Sequence, residues 1–308
     1  KQKTAYEIST RDWSSDVCSS DLANVVRLRA GGDANVTTNA TNLTANLPSG
    51  KLTVLEQNGL VVDPAGIRTS GNTSITLLAG NLTGSGTIQA SNIALNAATG
   101  GITLNSSAGQ VRASAGLLDV RAATGANLAT NIANLTGVLS GPLSIVDVDA
   151  LTIDPAGVST AAGNGDISIS LPGRGASLTV GGNINAGSGN VTLSVPSGSV
   201  SGAGQITGNV LSLAARSGAD IVTNIATLDA VISSTGNLLV QEADNLTVNR
   251  AITTSGNVNI TSLGTLPANG TLTILTLTAG RGAVNLAAAD VVLNGSITAG
   301  TKIGRAHV

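Results

Sequence analysis

Short runs of alternating apolar and polar residues recur along the chain, most of them opening on Gly-Asn. They read GNVTLSV at Gly189, GNVLSLA at Gly208, GNLLVQE at Gly236 and GNVNITS at Gly256, with the related GAVNLAA at Gly282. The spacing between starts is uneven but short, a coil-sized interval each time. Val, Leu and Ile alternating with Asn, Thr and Ser give a strand one buried face. The Gly and Asn between runs are expected to supply the positive-φ residues of tight turns. No segment keeps a helical period, and frequent Gly and β-branched residues disfavour helix. The chain is predicted to be all-β.

A longer repeat lies over this rhythm. TNATNL, TNIANL and TNIATL begin at Thr38, Thr130 and Thr223, at offsets of 92 and 93 residues. SGKLTVLEQNGLVVDPAG at Ser49 aligns without a gap to SGPLSIVDVDALTIDPAG at Ser140, and GNLLVQEADNLTVNRAI at Gly236 follows the same pattern. Repetition at roughly 20 residues favours a solenoid over a sandwich or barrel. The prediction is a right-handed parallel β-helix, a single elongated domain whose coils stack at the parallel strand spacing. At that period residues 23–301 make roughly 14 coils in a rod about 65 Å long, each long repeat taking four or five coils.

Composition sharpens the picture at both ends. Tyr6, Trp13, Cys18 and His307 are the chain's only Tyr, Trp, Cys and His, and residues 23–301 contain none of these, nor Phe or Met. Back-translated, Asp12 to Leu22 resembles a short-read sequencing adapter, and Lys1 to Ile8 the matching flow-cell primer. The codons for Lys302 to Val308 contain the reverse complement of those for Val17 to Leu22. Residues 1–22 and 302–308 are therefore expected to be translated adapter, the first of them disordered, and residues 1–22 lack a signal peptide's apolar core. The repeat region is residues 23–301, with blocks starting near 38, 130 and 223.

Residues 23–301 hold ten Lys and Arg against thirteen Asp and Glu, a net charge of −3. These charges are scattered singly, which argues against nucleic acid and against a polybasic membrane contact. No run is long enough to cross a membrane as a helix. The core must be built from small and medium aliphatic side chains, so it should be narrow and regular. No disulfide framework is available.

The GNVTL and GNVNI units, the missing Cys and the Ala/Gly/Asn/Thr-rich strands resemble filamentous-haemagglutinin-type bacterial exoproteins. The resemblance covers residues 23–301, and autotransporter passengers share the composition. It implies a right-handed parallel β-helix, export with an outer-membrane secretion partner, and a secreted or cell-surface location. The implied role is a structural or adhesive shaft without catalysis, its receptor unknown. The family's N-terminal secretion domain has no match here. Two other readings compete: a β-helical carbohydrate-active enzyme fragment, and the inert stem of a contact-dependent toxin.

Asp147-Val-Asp149 is the sharpest acidic cluster, and strand alternation would place both carboxylates on one face, as for a hydrolase or a calcium site. Its counterparts in the other copies are Glu56 with Asn58 and Glu242 with Asp244. Recurrence once per block points instead to an acidic turn. Asp63-Pro64-Ala65-Gly66 and Asp154-Pro155-Ala156-Gly157 have turn chemistry. The Asn-x-Ser/Thr triplets at Asn42, Asn134, Asn190 and Asn245 arise readily in such a composition. The Thr271 to Thr278 run reads as a solvated strand face. With no His or Cys between the tails, no catalytic, metal or cofactor site is expected.

Overall fold

The computed structural model describes residues 6–9, 17–18, 24–263 and 270–306, and every helix or strand among them is a strand. The chain forms two compact units, residues 1–148 and 149–308. Within each, strands pair parallel to strands one coil further along the chain, which makes the fold a parallel β-solenoid.

In the first unit one inward column runs Ala34, Leu52, Thr73, Ile93, Leu118, Leu135, in unequal steps along the chain. A second face stacks Leu60, Leu82, Ile102, Ala126 and Leu143. A third stacks Ala45, Ile67, Ile88, Val111 and Thr130. The second unit repeats the scheme, with Ile169, Leu193, Leu213, Ala230, Ala251, Leu277 and Ile297 in register on one face. Leu178, Val200, Ala219, Leu238, Val258 and Val284 line another. The largest fully buried side chains are Leu and Ile. Each such Leu or Ile contributes about 1.5–3 kcal/mol by leaving water.

The long repeat does not stack on itself. Ala34 and Ala126 open equivalent segments, yet the column of Ala34 returns at Leu118 after four coils, and Ala126 falls in the next column. One block is therefore four coils plus one face, and duplicated side chains are displaced around the axis.

The Gly-Asn openings work differently from the expected positive-φ turns. Gly236, Gly256 and Gly282 are absent from the positive-φ residues of the described chain. They are needed for close approach between coils. A Cβ on Gly256 would sit 1.9 Å from the carbonyl oxygen of Gly236, and one on Gly282 would sit 2.2 Å from that of Gly256. The following Asn then bridges coils: Asn257 N–H donates to Asn237 Oδ1 at 2.8 Å, and Ala283 N–H to Asn257 Oδ1 at 2.8 Å. Asn81, Asn183 and Asn245 accept from Gly101, Gln205 and Thr271 in the same way.

The Asp-Pro-Ala-Gly segments are bulged corners inside continuous strands, Leu60–Thr69 and Leu151–Ser159. Asp63 Oδ1 accepts Ala65 N–H at 3.0 Å, and Asp154 Oδ1 accepts Ala156 N–H at 3.0 Å. Gly66 and Gly157 hold φ of 75° and 78°, where a side chain is strained. Within residues 1–22, expected to be disordered, the structure describes Tyr6–Ser9 paired to Val26–Arg29, and Val17–Cys18 paired to Val36 and Thr37. The rest of that segment lies outside the described residues. Ile303–Ala306 pairs with Val284–Ala287.

Close approach makes a direct prediction. In Gly100→Ala the new methyl would meet the Gly80 carbonyl oxygen at 1.9 Å, whereas at Gly31 nothing lies within 4 Å. Gly100→Ala should lower unfolding stability by about 1–3 kcal/mol in urea titration. Gly31→Ala should stay within about 0.5 kcal/mol of the parent.

Candidate functional site

The acidic positions singled out by sequence separate in the structure. Asp147 is the last residue of Leu143–Asp147 and is 0% exposed, whereas Asp149 is exposed. The pairing on one strand face, weighed against the acidic turn, does not form, because the strand ends between the two residues. Glu56 and Glu242 are equally buried, at 0%. Asn58 and Asp244 are exposed.

Each buried acid lies one coil beyond the Thr of the Thr-Asn motif. Glu56 is in register with Thr38, Asp147 with Thr130 and Glu242 with Thr223. In each copy the acid meets the main-chain N–H two residues after that Thr, at Ala40, Ile132 and Ile225. Asp147 Oδ2 accepts the Thr130 hydroxyl at 2.6 Å and Ile132 N–H at 3.0 Å. Glu242 Oε2 accepts the Thr223 hydroxyl at 2.7 Å, and its carboxylate takes Ile225 N–H at 3.3 Å and Ala243 N–H at 2.9 Å. Glu56 accepts Ala40 N–H and Asn58 N–H, each at 3.2 Å. The repeated carboxylate thus satisfies buried main-chain donors, and a buried N–H left unpaired costs about 1–3 kcal/mol.

Burial raises the pKa of Glu56 and Glu242 above the ordinary carboxyl range. The donated hydrogen bonds pull the other way, but desolvation dominates. Neither Glu56 nor Glu242 is exposed to solvent.

The remaining candidates are also placed. Thr271, Thr273, Thr276 and Thr278 are half-buried and outward, alternating around Leu272, Ile274 and Leu277. Asn245 bridges to the next coil, and Asn190 is exposed. Among the described residues, no group of three His, Cys, Asp or Glu is placed to hold a metal ion. A shallow depression of 420 Å³ is lined by Thr83, Thr103, Asn127 and Ser144 among others, without an ionisable side chain. No helix of the described chain is long and apolar enough to cross a membrane.

No family model matches the chain, and no curated protein or solved structure matches it.

The inward setting of the acids was within reach of sequence reading. Leu52, Val54 and Glu56 share one parity, as do Leu143, Ile145 and Asp147, and Leu238, Val240 and Glu242. The buried strand face predicts a buried acid in all three copies.

The raised pKa has a definite sign. Folded Glu242 binds its proton more tightly than the unfolded chain, whose reference value is 4.5. Its contribution to stability is therefore fullest at low pH and declines as pH rises above that value. Urea midpoints at pH 4 and pH 7 should show the parent losing stability relative to Glu242→Gln as pH rises. Glu242→Leu, which takes the acceptor from the Ile225 N–H and the Thr223 hydroxyl, should cost about 1–3 kcal/mol at either pH. A parent-minus-Gln difference that does not change with pH would contradict the burial argument.

Proposed function

We propose that this chain is a structural and adhesive shaft segment of a large bacterial exoprotein, displayed on the cell surface or secreted, and without catalysis. The observation that carries this reading is the in-register column. Coil after coil repeats the same inward aliphatic residues and outward Asn, Thr and Ser, which extends a surface without creating a cleft. Polar groups turned inward are consumed by the fold itself, as at Glu56, Asp147 and Glu242.

The resemblance to filamentous-haemagglutinin-type exoproteins supplies the finer terms of the proposal: right-handed winding, an outer-membrane secretion partner and a surface receptor. Right-handed winding also agrees with the general hand of parallel strand crossovers. Residues 1–22 and 302–308 are proposed to derive from adapter DNA. Long-read sequencing of the source locus should recover an open frame across residues 23–301 without those codons. Finding them encoded at the locus would reject that origin.

Location has its own test. Antibody raised against the purified chain should label intact cells of the source bacterium and its culture supernatant. Labelling that requires lysis of the cells would overturn the surface reading.

A further inference from the structure

The charges that look scattered along the chain are gathered by the fold. Arg29, Arg68 and Arg112 are separated by 39 and 44 residues, and each interval is two coils. Arg29 is in register with Asn46, Asn46 with Arg68, Arg68 with Gln89, and Gln89 with Arg112. The resulting outward column on the first unit reads Arg, Asn, Arg, Gln, Arg. All five side chains are exposed. Coils stacked at about 4.8 Å place the guanidinium positions about 9.6 Å apart, with one amide between each pair.

The row is shaped as well as charged. Two adjoining surface depressions of 310 and 330 Å³ share Arg68 and Ala65. The first also takes in Arg29 and Asn46, and the second Gln89 and Arg112. Ala65 belongs to the Asp63–Gly66 bulge, so the bulge flanks the column. Arg112 is held by its Nε donating to Gly109 O at 2.7 Å, and Arg68 by Nε and Nη2 donating to Gln89 Oε1 at 3.3 and 3.1 Å. Among the described residues, none of the three is ion-paired; the ion pairs there are Arg121 with Asp119 and Arg250 with Asp229. Asp63, the first residue of the bulge, turns its Oδ1 to Ala65 N–H. Arg27 is exposed, lines the first depression beside Arg29, and stands in the neighbouring column with Thr44.

We propose that this column binds an extended acidic polysaccharide in which a carboxylate-bearing sugar alternates with a neutral one. Guanidinium groups grip carboxylates through paired hydrogen bonds. The Asn46 amide can donate to and accept from sugar hydroxyls, and Gln89, its Oε1 engaged by Arg68, can donate through Nε2. Two sugars of an extended chain span about the distance of two coils, so anion meets Arg and hydroxyl meets amide along the row. Nucleic acid fits less well. A duplex strand carries a charge about every 3.4 Å. Single-stranded binding draws on aromatic stacking platforms, and residues 23–301 contain no aromatic side chain.

The inference deepens the adhesive part of the proposed function and rests on it. Its test uses the purified full chain, so it can fail while surface labelling of cells succeeds. Oligosaccharides of alternating glucuronic acid and N-acetylglucosamine, from four to twelve sugars, are titrated by calorimetry or biolayer interferometry. Neutral chitin oligosaccharides, inorganic polyphosphate and duplex DNA serve as comparisons. Affinity should rise with length until the ligand spans the row, and added salt should weaken it. Arg68→Gln and Arg112→Gln should each weaken binding at least about tenfold. Arg121→Gln, which removes the same charge elsewhere, should leave binding unchanged. All three lie on the solvent side, and circular dichroism should show each still folded. Three results would overturn the proposal: no binding, an equal loss in Arg121→Gln, or equal binding of polyphosphate or DNA.

Discussion

Everything in this molecule depends on main-chain hydrogen bonding between successive coils in parallel, fixed register. Once Leu52 is set against Ala34 and Thr73 against Leu52, every inward residue lies over another inward residue. The core is then a set of columns, each about one side chain deep, which is why Leu, Ile, Val and Ala suffice and aromatics are dispensable. The same constraint governs the exceptions. A glycine is required where two coils nearly touch, an Asn where the next coil has an N–H to satisfy, and a buried acid where a buried main-chain N–H needs an acceptor.

The acids show how such a stack resolves a local conflict. Two residues past Thr130 the Ile132 N–H points toward the next coil, where the strand Leu143–Asp147 has ended. A carboxylate from the next coil reaches back to it. At Glu56 and Glu242 burial of the charged carboxylate is unfavourable, as their raised pKa records. The alternative is an orphaned donor beneath every long repeat. The chain carries the same solution three times, once in each long repeat.

Fold class and coil period were readable because alternation and spacing are local properties of sequence. GNVNITS at Gly256 shows both its strand and its buried face without reference to the rest of the chain. The role of its glycine was not readable in the same way, since closeness to Gly236 depends on register between coils. Register also explains the other two differences. Asp147 and Asp149 look paired on paper, but the strand ends between them. Arg29, Arg68 and Arg112 look isolated on paper, but intervals of 39 and 44 residues become two coils each. Coil length varies within one column: the coil from Ile93 to Leu118 is longer than the one from Leu118 to Leu135. That variation hides such alignments from a fixed period.

Register is also what a single measurement can test. Asn46 and Asn131 lie in one outward column, four coils apart through Arg68, Gln89 and Arg112. Nitroxide labels at Asn46→Cys and Asn131→Cys, with Cys18→Ser to remove the native thiol, permit a pulsed electron–electron distance measurement. The stacked register predicts a narrow distribution centred at about 19 Å, widened only by the label arms. A broad distribution, or one centred well beyond that span, would contradict the column on which the whole account rests.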